Sequence, residues 1–217
     1  MALSATHLRF AAVLLRWLPV TDRPAYFSGT LYPDSRWVSG LAREKTHADR
    51  FLNPDFAVDD FSLGWHVHCV CDRIQGQIHQ DLLGDLSMLT DSERWVRLSA
   101  AKVIQDGFDA AKGDLAQQLA LLVDGLAPNG EPPGSVADYF GFVRRAYRGC
   151  TARTPADYAR LWADVGLDPT MITRIEDAVA CMQANPVLVD ALVASFDRMV
   201  SRWIEQYGND GRGKWFR

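Results

Sequence analysis

The chain lacks an excess of positive charge: 23 Lys and Arg stand against 27 Asp and Glu, for a formal net charge of −4. No overall basic field exists to recruit nucleic acid or an anionic membrane, so nucleic acid is not expected as the main partner. Long apolar runs are also missing. The longest near the N-terminus, Phe10 to Leu15, is closed off by Arg9 and Arg16. It is too short to span a membrane and wrongly shaped for a secretory signal, so a cytoplasmic protein without a transmembrane segment is expected. Cysteine is sparse: Cys69, Cys71, Cys150 and Cys181 form one C-x-C and no C-x-x-C. That spacing suggests neither a disulfide framework nor a four-thiolate zinc knot, and buried free thiols are expected. Strand-like alternation, internal repeats and low-complexity tracts do not occur either, which argues against a β or solenoid architecture.

What is present is an ordinary globular composition, 48% hydrophobic and 23% charged over 217 residues, enough chain for one domain spanning 1–217. Helix starts are written along it. Thr154-Pro155, Asp168-Pro169 and Asn185-Pro186 each place a capping side chain before a proline suited to the first helical turn. Thr90 with Glu93 makes a capping box ahead of a helical pattern from about 91 to 125, interrupted at Gly107 or Gly113. Leu188, Leu192, Phe196, Val200 and Trp203 recur at helical spacing. The expected class is all-α, a single-domain helical bundle. Two stretches read as irregular: a long loop over about 18–56, rich in Pro, Gly, Asp, Arg and aromatics, and a plain loop over 128–135.

The histidines carry the functional signal. His7, His47, His66, His68 and His79 all fall in the first 79 residues, in company with Asp34 and Asp72. Imidazole and carboxylate together suit zinc, iron or manganese. A helix over about 60–80 sets His68 and Asp72 four residues apart on one face, where they can share an ion. His66 points roughly 200° away from His68 and is expected to pack or to support the site. His79 returns to the Asp72 face about 10 Å along the axis and joins the ligands only if the helix kinks near Gly76. His7 lies on an amphipathic first helix with Phe10, Leu14 and Trp17; taken alone it reads as a core histidine.

His7, Gly29 to Pro33-Asp34, Thr46-His47 and Gly64-x3-His68-x3-Asp72, in this order, resemble the bacterial zinc-dependent phospholipase C family, within the phospholipase C and P1 nuclease group. The resemblance covers about residues 1–80. It implies an all-α fold whose helices supply His and Asp ligands to metal ions, with His7, Asp34, His47, His68 and Asp72 as ligands and Asp34 or Asp72 able to bridge two ions. The N-terminal tryptophan ligand of well-known members is absent, since the chain begins Met1-Ala2, so one or two ions are expected, with zinc first and iron or manganese as alternatives. His79 stands as a sixth candidate. A more distant resemblance links the chain to the HD-domain superfamily, although His47-Ala48-Asp49 interposes a residue in the adjacent His-Asp pair.

A metal-bound water attacking a phosphoester or similar small molecule is the expected chemistry. Asp34 would serve it as ligand and catalytic residue. Arg36 and Arg43, with Lys45 nearby, would neutralise phosphate charge or else form a wet surface, and nothing aims Glu44 as a base. Tyr26, Phe27, Tyr32, Trp37 and Trp65 either wall a pocket or pack in the core; Trp95, Trp162, Trp203 and Trp215 are assigned to packing. Asp138, Asp157 and Glu176 are taken as solvent-facing. Alternatives are an HD-like di-iron oxygenase and a non-catalytic helical protein with a structural metal site. Residues 208–217, ending Trp215-Phe216-Arg217, read as a frayed tail or a docking segment. Oligomeric state is not legible.

Overall fold

The structure, a computed structural model, describes residues 3–149 and 154–208. Cys150 and the tail from Asn209 lie outside them, and with them the readings made for Trp215 and Phe216. The described residues are all-α, without a strand. In chain order the helices are α1 (Ser4–Leu14), α2 (Arg23–Leu31), α3 (Arg36–Ser39), α4 (Glu44–His47), α5 (Asp60–Leu83), α6 (Asp91–Ala110), α7 (Leu115–Ala120), α8 (Ser135–Ala146), α9 (Pro155–Asp164), α10 (Pro169–Gln183) and α11 (Pro186–Trp203). No single helix among them is long and apolar enough to cross a membrane.

The caps read from sequence set the starts of the later helices. Thr90 and Glu93 exchange hydrogen bonds at the head of α6, Thr154 and Asp157 pair at α9, and Asp168 and Asn185 accept from Thr170 N and Leu188 N at α10 and α11. The pattern from 91 runs through Gly107 and breaks after Ala110, so α7 is a separate short helix.

The long loop expected over 18–56 is a correction. This segment winds into α2, α3, α4 and three single-turn 3-10 helices. Local chemistry starts and stops each piece: Asp22 accepts from Ala25 N with Pro24 in the first turn, Gly40 ends α3 with φ +73°, and Asn53 accepts from Asp55 N ahead of Pro54. Elements this short are unstable alone and carry too few residues for a readable apolar period. Packing on α5 holds α2 and the 3-10 turns, and α3 packs against α8.

Helix α5 is the axis of the molecule, buried without interruption from Ser62 to Cys71. Its contact with α2 depends on two glycines. A Cβ on Gly64 would stand 1.9 Å from the Tyr26 carbonyl oxygen, and one on Gly29 would stand 1.9 Å from that of Phe61. Only bare backbone at both positions lets the two helices approach so closely. Helix α1 is fixed by a different device. Its N-cap residue Leu3 makes no capping bond; instead Thr6 N donates to Asp106 Oδ1 at 2.7 Å and Ser4 N to Tyr147 Oη at 3.2 Å. A carboxylate from α6 and the Tyr147 hydroxyl thus satisfy amides that the helix start leaves open.

Candidate metal centre

Three rings and two carboxylates meet where α1, α4, α5 and the 3-10 turn after α2 converge. Each imidazole is oriented through Nδ1. His7 Nδ1 lies 3.0 Å from Leu3 O, His68 Nδ1 lies 2.8 Å from Thr30 O, and His47 Nδ1 lies 2.7 Å from Thr46 Oγ1. A carbonyl only accepts, so it places the proton of His7 and of His68 on Nδ1 and leaves the Nε2 lone pair facing inward. The close α2–α5 crossing brings Thr30 O to His68. Trp65 brings His47: its Nε1 donates to Thr46 O at 2.7 Å, and its ring stacks on Phe51 at 4.5 Å.

The inward atoms converge. His47 Nε2 is 3.1 Å from His68 Nε2, 3.8 Å from Asp34 Oδ1 and 3.7 Å from Asp72 Oδ2. His68 Nε2 is 4.0 Å from the same Asp72 oxygen, and the His7 and His68 rings stack at 4.1 Å. His7 Nε2 is buried without a hydrogen bond, 3.5 Å from Asp72 Oδ1. Two overlapping groups, His7–His68–Asp72 and Asp34–His47–His68, keep their ligand atoms within 4.8 Å of one another. Buried lone pairs that face one another, with an unpartnered nitrogen beside them, suit a cation. The donor set therefore fits a divalent ion.

Electrostatics divide the rings. Burial pushes the His47 pKa down to about 4 and that of His68 well below normal, despite the nearby carboxylates. For His7, burial also disfavours the charge, but its contact with Asp72 outweighs this and the pKa is raised. Burial opposes ionisation of Asp72, yet the Lys102 ammonium and His7 hold its carboxyl well below the usual range. Neutral imidazoles and an ionised carboxylate are the ligand forms.

Of the residues expected to bind metal, His7, Asp34, His47, His68 and Asp72 come together; His79 does not. No break near Gly76 interrupts α5, and His79 Nε2 instead meets Gln105 Oε1 at 2.7 Å, so its place two turns along a continuous helix takes it out of reach. His66 faces away and hydrogen-bonds Phe51 O at 2.9 Å. Cys69 and Cys71 are buried thiols, but Cys181 is exposed on α10, contrary to expectation. Tyr26, Phe27, Tyr32 and Trp65 are core residues, and Arg36 lies over the half-buried Trp37 ring, 4.3 Å from its centroid.

The site opens on a cleft of about 490 Å³ lined by His47, Asp72, Arg36, Arg43, Arg73 and Lys102. Arg36 and Arg43 are thus placed beside the ligands, while Lys45 and Glu44 are exposed and outside this lining. Asp138, Asp157 and Glu176 join neither candidate group. Sequence reading missed Lys102, whose Nζ donates to Asp72 Oδ1 at 2.6 Å; Trp95 packs against the core as expected and also lines the cleft. The signal for Lys102 was there: Ser99, Lys102, Gln105, Asp106 and Asp109 form a polar stripe at helical spacing along α6. The 128–135 loop is also more than a plain one, because its buried Glu131 accepts from Tyr32 Oη and secures the turn that carries Asp34.

No family model matches the chain, and no curated protein or solved structure matches it either.

Proposed function

We propose that the chain is a metal-dependent hydrolase of a phosphoester or a similar small anionic substrate. The observation that carries this reading is the convergence of five ligand side chains, of which His47 and Asp72 line a cleft that also presents Arg36, Arg43, Arg73 and Lys102. A divalent ion, zinc first among the candidates, would supply a bound water with its pKa lowered toward neutrality. His47, His68, Asp34 and Asp72 would hold that ion, with the Thr30 carbonyl behind His68 and the Thr46 hydroxyl behind His47 keeping the two rings aimed. Arg36 stands half-buried in the cleft lining, where its guanidinium would meet an anionic oxygen. Arg43 stands exposed at the rim, where it would draw in the substrate's charge.

The test is turnover of chromogenic phosphomonoesters and phosphodiesters by chelator-stripped protein reloaded with zinc or manganese. Hydrolysis that disappears in His47→Ala is the expected result. Bound iron with oxygen uptake and no hydrolysis would overturn it in favour of an oxygenase. A tightly bound ion with no turnover on either ester class would leave a structural metal site instead.

A further inference from the structure

The two candidate ligand groups overlap in His68, and one imidazole nitrogen binds one ion. They are therefore not two independent sites. Asp72 distinguishes them through its two oxygens. Oδ2 faces the rings of His47 and His68, at 3.7 and 4.0 Å, while Oδ1 faces His7 Nε2 at 3.5 Å and the Lys102 ammonium at 2.6 Å. Lys102 is no surface residue that happens to reach inward: its side chain is 14% exposed and that of Asp72 16% exposed. It comes from α6, an element that supplies no ligand.

We infer that Lys102 is the resident second cation of this centre: its ammonium holds Asp72 Oδ1 against a second divalent ion, so that the chain binds one ion, on the Oδ2 side with Asp34, His47 and His68. This rests on reading the site as a metal centre. The charge count supports it. Asp34 and Asp72 bring two negative charges and Lys102 one positive, so a single divalent ion leaves a net charge of about +1, whereas two ions beside Lys102 would leave about +3 in a largely buried space. A fixed ammonium also repels the first ion, so its affinity is held below what the same ligands would give alone. Lys102 is thus a positioning residue that sets metal number and affinity.

Titration of chelator-stripped full-length protein with zinc, read by calorimetry and elemental analysis, tests this in wild type, Lys102→Met and Lys102→Arg. Methionine keeps the length of the stem without its charge, and arginine restores the charge. Wild type and Lys102→Arg are expected to bind one equivalent. Lys102→Met is expected to bind the first equivalent about tenfold more tightly or better and to take up a second. It should also show a lower Tm without zinc and a larger zinc-induced rise in Tm than wild type, because removing the ammonium leaves Asp72 unpaired until metal arrives. Two equivalents in wild type, or unchanged stoichiometry and affinity in Lys102→Met, would overturn the inference while leaving the metal centre standing. No zinc in any of the three would overturn both together.

Discussion

Two buried polar clusters lie side by side on the same pair of helices, and they close in opposite ways. His7 of α1 and Lys102 of α6 belong to the candidate metal centre. Thr6 and Arg9 of α1, with Gln105, Asp106 and Asp109 of α6, belong to the other cluster. There the protein answers itself: Asp106 accepts from Thr6 N, Tyr147 Oη and Tyr158 Oη, and Asp109 accepts from Thr6 Oγ1 and Arg9. Donor meets acceptor at each step. In the metal centre, nitrogen faces nitrogen at 3.1 Å and carboxylate oxygens stand 3.5 to 4.0 Å from imidazoles, with the Lys102 ammonium on one Asp72 oxygen. Buried polarity alone therefore does not mark a site; convergence of acceptors that do not satisfy one another does.

The sharpest way to break this comparison is to remove one carboxylate from each side. Asp72→Ala should weaken zinc binding more than about 100-fold while the chain still folds. Asp106→Ala should retain zinc but lose about 3–5 kcal/mol of stability in urea unfolding, because three donors lose their acceptor. Zinc lost from both, or from neither, would erase the distinction. Gly64→Ala comes next. Its Cβ collides with the Tyr26 carbonyl, so the helices must part at a cost of about 2–3 kcal/mol, and Thr30 O must withdraw from His68. Weaker zinc binding should accompany the lower Tm; a lower Tm with zinc affinity intact would show that the crossing does not aim the ring.

His79, whose Nε2 meets Gln105 while its Nδ1 has no partner, is probed through pH. Burial, with Lys102 adding to it, pushes its pKa down to about 3 in the folded chain, below the ordinary value near 6.5 for an unfolded histidine. The unfolded chain therefore binds the extra proton between those values, and the stability His79 contributes is full above pH 6.5 and lost as pH falls. The loss is about 1.4 kcal/mol per pH unit. Urea unfolding of metal-free His79→Gln between pH 6.5 and 5 should show a slope shallower by that amount, with zinc affinity at pH 7.5 unchanged. A loss of zinc would return His79 to the ligands. The smallest effect is expected at the rim: Arg43→Ala should raise KM for an anionic ester several-fold and leave kcat within about twofold.

The fold class and the later helix starts were legible because caps and helical periodicity are local signals. The short helices of 18–56 were not, since pieces of one turn owe their existence to packing on neighbours, α8 for α3 among them, rather than to their own residues. Within the site, the order His7, Asp34, His47, His68, Asp72 was enough to nominate the residues that meet, whereas Lys102 reaches Asp72 from thirty positions away and no spacing rule joins them. His79 shares a helix face with Asp72, but a straight helix separates what the face unites. The glycines at 29 and 64 entered as parts of motifs; their work is to let two backbones touch.

The most direct test of the account is zinc titration of the chelator-stripped wild-type chain beside His68→Ala and Asp106→Asn. The account predicts saturable binding in wild type, its loss in His68→Ala and its retention in Asp106→Asn. Absence of binding in wild type, or binding that survives His68→Ala unchanged, would contradict it.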